Sequence, residues 1–164
     1  MMRCDMLENL LESVKENLYY RDGVLYWKKT QGRKIAHKAA GCLSKGYVLV
    51  GLEGKLRPAH RLIYLLHHGH CPQFLDHIDG NRSNNKLENL RPATANENAR
   101  NCKIPTHNTS GHKGVSWDVG RNKWMAYITI NNKFKCLGRF EKIEDASEAY
   151  KKAAVRFFGE FARI

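Results

Sequence analysis

Between Leu75 and Asn101 the chain reads LDHIDGNRSNNKLENLRPATANENARN, with one histidine set between two aspartates, seven asparagines and almost nothing that could build a core. So polar a segment is either a solvated loop or a site, and the order of its residues bears on which. Phe74 to His77 can be a strand, Gly80 to Asn85 a loop and Leu87 to Ala93 a second short strand. Thr94 then stands as the N-cap of a helix, with Glu97 closing its capping box. On a strand, loop, strand, helix scaffold the side chains of Asp76 and His77 leave the first strand, while Asn98 lies one turn into the helix and can face back towards them. Carboxylate and amide oxygens are hard ligands, suited to Mg²⁺ or a similar ion that keeps several waters and takes phosphate oxygens in its remaining positions. The adjacent His77 is a histidine, the side-chain type best suited to exchange protons at neutral pH, and can take the proton from an attacking water. Metal, base and phosphate together describe hydrolysis of a phosphodiester.

Charge points to the same class of partner. The 164 residues carry 28 Lys and Arg against 16 Asp and Glu, a formal net charge of +12, which favours a polyanion and makes nucleic acid the leading candidate over an anionic membrane. Residues 60–102 are nearly balanced, with 5 basic and 4 acidic groups, between flanks that carry 11 against 6 and 12 against 6. That distribution suits a site holding a cation of its own while its neighbours grip phosphates. No apolar run approaches the ~18 residues of a membrane span, and Met1 to Leu10 lacks the pattern of a signal peptide, so a cytoplasmic protein without membrane attachment is expected. Cys4, Cys42, Cys71, Cys102 and Cys136 are scattered singly, with no C-x-x-C pair, and read as reduced thiols.

The length and the 42% hydrophobic content allow one ordinary domain or two to three small modules, and the expected fold class is α+β. Leu7, Leu10, Leu11, Val14 and Leu18 recur at helical spacing behind an Asp5/Glu8 capping box. Residues 23–28 and 46–57 read as strands, the latter turning at Glu53-Gly54, and His60 to His68 as a short helix ending at Gly69. Residues 1–59 are thus a helix plus a β-rich basic platform, in which Tyr26 and Trp27 are core residues. The Pro, Asn, Ser and Gly of residues 103–112 mark a linker. Beyond it, 113–117, 123–130 and 133–140 alternate as a three-stranded antiparallel sheet turning at Asn131-Asn132, and Lys142 to Phe158 forms an amphipathic helix whose alanines let it lie close across one face.

The run from His60 through Asn101, with HRLIYLLHHG, LDHIDGNRSNN, KLENLRPAT and ENARN, resembles the HNH endonucleases of phages and mobile introns, whose core is a ββα-metal fold. The resemblance covers residues 60–102 and implies a phage-type homing endonuclease. It places the general base on His77, a metal ligand on Asp76, the asparagine that orients the base on Asn89, and the last metal ligand on Asn98. Asn101, one helical turn further, points to a similar side and stays open as a further ligand. Asp79, Asn81, Asn84 and Asn85 read as turn formers that shape the loop, and His67, His68 and His70 as the polar end of a helix.

Residues 110–164 resemble the plant ethylene-response-factor (Apetala-two type) DNA-binding domain, through KGV, KWMAYI, LGRF, the AYKKAA helix and Gly159. In that family the sheet enters the major groove and the helix backs it. Carried over, the resemblance turns Trp124, Ala126 and Ile128 to the helix and Lys113, Ser116, Tyr127 and Thr129 to DNA. Ser116, Tyr127 and Thr129 stand where the plant domains read guanine through arginine, so a plant-like target does not follow. Arg121, Lys123, Lys133 and Lys135, with Lys113, are candidate phosphate contacts.

These readings combine into a metal-dependent hydrolase of double-stranded DNA. Its expected cofactor is a divalent ion, Mg²⁺ foremost with Mn²⁺ as the alternative. A monomer with one active site most simply nicks one strand, and a two-strand cut calls for a dimer assembled on the DNA. A phage-encoded chain would act in the host bacterial cytoplasm. The rival readings are a non-catalytic DNA-binding regulator on the same scaffold and a structure-specific or RNA nuclease.

Overall fold

The structure, a computed structural model, describes residues 4–164, with side chains from Met6 onward. The expected Asp5/Glu8 capping box lies outside the described side chains. Helices and strands are interleaved in an α+β arrangement, and the chain forms two compact units, residues 1–94 and 95–164.

The first unit opens with α1 (Cys4–Asn17), whose Leu10 and Val14 are buried. Two antiparallel sheets follow: the hairpin β1 (Leu18–Arg21) with β2 (Val24–Trp27), and the meander β3 (Cys42–Ser44), β4 (Tyr47–Leu52) and β5 (Lys55–Pro58). Each of these hairpins turns on two residues with positive φ, Asp22-Gly23, Lys45-Gly46 and Glu53-Gly54. This backbone geometry matches the right-handed twist of the paired strands. Helix α2 (Ala59–His68) ends at Gly69 in the left-handed region, its N–H on the Leu65 carbonyl at 2.9 Å. It buries Leu62, Ile63 and Leu65 against Val14, Leu18, Leu25, Val50 and Leu52, each of these side chains contributing about 1.5–3 kcal/mol by its removal from water.

A last hairpin, β6 (Phe74–His77) with β7 (Leu90–Ala93), joins the same core through Leu75 and Leu90. The polar segment therefore has no core of its own; it is anchored by one apolar residue per strand to a core that begins at Leu10. Leu87 to Asn89, read from sequence as the start of a strand, is instead a 3₁₀ turn closed by Asn89 N–H on the Lys86 carbonyl at 2.9 Å. Pairing begins only at Leu90 because the turn commits the Asn89 side chain to the loop before it.

The second unit contains α3 (Ala95–Arg100), the sheet β8 (Val115–Asp118), β9 (Lys123–Ile130) and β10 (Lys133–Phe140) in the order β10-β9-β8, and α4 (Ile143–Phe158). Ala146 and Ala154 are fully buried against Val115, Ala126 and Ile128, so the small residues of α4 do bring it close to one sheet face. Gly114, with φ +62°, is demanded by that closeness: a Cβ there would collide with the Tyr150 ring and the Tyr127 carbonyl.

Candidate active site

Asp76 and His77 are the last residues of β6, so the alternation of the strand sends them to opposite faces. Both are buried. Asp76 stands opposite Arg91 in the ladder, and its Oδ2 accepts from Arg91 Nε at 3.1 Å and Arg91 Nη2 at 2.9 Å. Two charge-assisted bonds onto one oxygen offset the cost of burying the carboxylate and fix its orientation.

On the other face, His77 Nε2 lies 3.0 Å from Asn85 Oδ1, and Asn85 is itself only 3% exposed. An amide oxygen can only accept, so in this pairing Nε2 carries the proton and Nδ1 the lone pair of the neutral ring. The His60 ring packs edge-on against His77 with centroids 4.9 Å apart, and Tyr47 leans on both rings at 5.5 and 6.3 Å. Arg82 caps Tyr47 at 4.9 Å. Burial, then the neighbouring His77 and Arg61, push the His60 pKa down to about 3. His60 is thus a neutral wall beside the candidate base.

The loop between the strands is held by Asp79 and Asn89. Asn89 Nδ2 donates to Asp79 Oδ1 at 3.0 Å and to the Asn84 carbonyl at 2.8 Å, while its Oδ1 accepts the Asp79 N–H at 3.0 Å. Asp79 also accepts from the Asn81 N–H and from Asn84 Nδ2, both at 2.7 Å. Burial works to raise the pKa of this carboxyl, but the bonds from Asn84, Asn81 and Asn89, with His77 nearby, outweigh it and hold the group below its ordinary value. Asn81, Asn84 and Asp79 therefore shape the loop, and the Asn89 backbone carbonyl receives the Ile78 N–H at 2.9 Å, next to His77. The loop-type sequence around Asn85 hid its partnership with His77; no composition signal separates Asn85 from Asn84 beside it.

Asn98 sits exposed on α3, in the second unit, its carbonyl receiving the Cys102 thiol at 3.7 Å. Asn101 is buried, and its carbonyl accepts from Arg163 at 3.4 Å. Among the described residues no group of three His, Cys, Asp or Glu side chains could hold a metal ion.

The register of the second sheet gathers some of the candidate DNA contacts and separates others. Ser116 stands opposite Met125, Tyr127 opposite Cys136 and Thr129 opposite Phe134, all alternating away from buried Ala126 and Ile128. Lys123 shares this outer face and lies 3.8 Å from Glu141. The Tyr127 ring stacks on Phe134 at 5.3 Å. Asp118, on the same face, binds Arg139 at 2.8 Å and Arg121 at 3.4 Å, and these partners hold its carboxyl below the ordinary carboxylate value, with the Arg139 hydrogen bond foremost. Arg139 was not among the candidate contacts read from the sequence, where LGRF counted only as a family motif at the end of a strand. Lys133 and Lys135 alternate to the helix side, where Lys135 lies 5.2 Å from the Phe157 ring. Lys113 folds inward and donates to the carbonyls of Arg100 and Arg163 at 3.3 and 3.2 Å, its pKa lowered by burial and by Arg163.

The family model described as HNH endonuclease matches residues 57–100, the segment that contains α2, the β6–β7 hairpin and α3. Protein 3.8 of Escherichia phage T7 is 38% identical over 91 residues, which is 56% of this chain and 74% of that protein. An uncharacterised HNH endonuclease of Acanthamoeba polyphaga mimivirus is 35% identical over 112 residues, 66% of this chain and 57% of the relative. No solved structure matches the chain. With the family model lying across Asp76, His77, Asn89 and Asn98, and a relative named as an HNH endonuclease, residues 57–100 are an HNH endonuclease domain and the chain is a nuclease.

Proposed function

We propose that the chain is a divalent-metal-dependent endonuclease that hydrolyses phosphodiester bonds of double-stranded DNA, most simply as a nickase. His77 takes the proton of the attacking water, and Asp76 and Asn98 offer oxygens to the metal. The observation that carries this reading is the buried pairing of His77 with Asn85 at 3.0 Å, which leaves the lone pair of the neutral ring on Nδ1, the form a base requires. Asn89 supports His77 from the loop, through Asp79 and through its own carbonyl on the Ile78 N–H.

The donor set suits a hard cation. Asp76 is a carboxylate oriented by Arg91, Asn98 is an exposed amide, and no all-protein cage of acidic, His or Cys side chains surrounds either among the described residues. Such a set fits an ion that keeps waters and substrate oxygens in its shell, as Mg²⁺ does, with Mn²⁺ an alternative. When bound, the ion supplies positive charge for the phosphoryl and leaving oxygens.

The second unit would contribute binding through its outer sheet face, with Ser116, Lys123, Tyr127 and Thr129 towards the duplex and Arg121 at its edge. Lys113, Lys133 and Lys135 are weaker candidates, since none of them reaches that face. One chain has one His77, so a monomer nicks and a two-strand cut needs two chains assembled on the DNA. The compartment is that of the substrate, a bacterial cytoplasm for a phage-encoded chain. No helix among the described residues is long and apolar enough to cross a membrane.

The test is cleavage of supercoiled plasmid with Mg²⁺ or Mn²⁺. Open circles should form before linear DNA, and chelation should stop the reaction. DNA binding without cleavage of any duplex would favour a regulator, and preferential cleavage of branched DNA or RNA a different substrate class.

A further inference from the structure

We propose that Asn85 is the positioning residue that selects the proton-accepting tautomer of His77, and that the β1–β2 hairpin braces Asn85 in place. This rests on His77 being the base. The Asn89 side chain is spent on Asp79 and the Asn84 carbonyl, whereas the amide oxygen on the His77 ring belongs to Asn85. Asn85 is 3% exposed, so its bond to His77 is shielded from competing water. His60, edge-on at 4.9 Å, restricts the plane of the same ring.

Asn85 is itself held from behind by residues far away in sequence. The turn of the β1–β2 hairpin lies against its backbone: a Cβ on Gly23 would stand 3.4 Å from the Asn85 carbonyl carbon and 3.1 Å from Lys86 N. Asp22 pairs with Lys86 Nζ at 3.1 Å, and the Tyr20 hydroxyl oxygen accepts the Leu87 N–H at 3.2 Å. Tyr20 is in turn packed edge-on against His67 of α2 at 4.8 Å. Three consecutive residues, Asn85 to Leu87, are thus contacted by one hairpin, which fixes where the amide oxygen can be. A base held in the wrong tautomer presents a proton where it should present a lone pair, so the bond governs reactivity without touching substrate.

The experiment uses the full chain labelled with ¹⁵N-histidine, whose two-bond proton correlations distinguish Nε2–H from Nδ1–H in the neutral ring. Wild type should show His77 as Nε2–H. Asn85→Leu, which keeps the size but removes the acceptor, should turn it to a mixture or to Nδ1–H, with the amide fingerprint reporting that the fold persists. Asn85→Asp, which retains an accepting oxygen, should keep Nε2–H in the neutral ring. On supercoiled plasmid with Mn²⁺, Asn85→Leu should cut about 10- to 100-fold more slowly at an unchanged half-saturating DNA concentration, a part of the ~10²–10⁴ that a positioned base contributes. An Nδ1–H ring in wild type, an unchanged tautomer in Asn85→Leu, or a changed tautomer with wild-type cleavage would each overturn the proposal. Failure of the underlying reading is separate: His77→Ala would then cleave as fast as wild type, whatever the tautomers show.

Discussion

His60 couples the stability of the first unit to pH. The unfolded chain takes up a proton on this ring near pH 6.5 and the folded chain only near pH 3, because burial and then His77 and Arg61 disfavour the cation. Its contribution is therefore complete above pH 6.5 and lost as the pH falls towards 3, on the order of 4 kcal/mol across that window. Denaturant titrations from pH 7 to pH 4 should show a declining midpoint, and His60→Leu should flatten the decline; equal slopes for the two proteins would contradict the assignment. Arg91 makes a related argument with opposite chemistry. Its two bonds to Asp76 are buried, so Arg91→Ala removes two charge-assisted bonds from a buried carboxylate and should cost about 3–5 kcal/mol of unfolding free energy. A loss below about 1 kcal/mol would mean that Asp76 is better solvated than the ladder suggests.

At the level of elements, the β1–β2 hairpin is more than a cover for the core. Gly23 has φ +82° and lies against Asn85 and Lys86, so Gly23→Ala is strained twice, by its own backbone and by the neighbour it presses. We expect slower plasmid cleavage from this substitution, remote in sequence from every chemical residue, with DNA affinity retained; unaltered cleavage would separate the hairpin from the site. This dependence was not legible in the sequence, because LYYRDGVLYW gave only its second strand and Leu18 fitted the preceding helical stripe. The exposed CLS strand was too short to read. Helices α1, α2 and α4 and the sheet of the second unit were legible, since an apolar stripe or alternation bounded by Gly or Asn turns specifies them locally. In the site, Asp76 and His77 stood out by type and order. Asn85 did not, since what distinguishes it from Asn84 is a contact created by folding.

For the whole molecule, a net charge of +12 serves binding only where it can meet phosphates. The sheet face with Ser116, Lys123, Tyr127 and Thr129 has part of its charge tied up, Asp118 with Arg139 and Arg121, and Lys123 near Glu141. Affinity for duplex DNA should still fall with salt, with a log-log slope of about −0.9 for each phosphate contact neutralised. Lys123→Ala should make that slope shallower by about one contact, whereas Lys113→Ala should leave it unchanged, because the Lys113 ammonium is held by backbone carbonyls. A flat salt response would remove the charge from the account of binding. The proposed hydrolysis rests on one histidine, His77, set by its neighbours. Single-turnover cleavage of plasmid by His77→Ala, at protein concentrations where binding is saturated, tests it most directly. A rate reduced by about 10²-fold or more, with DNA affinity within a few-fold of wild type, is the result predicted; cleavage at the wild-type rate would contradict it.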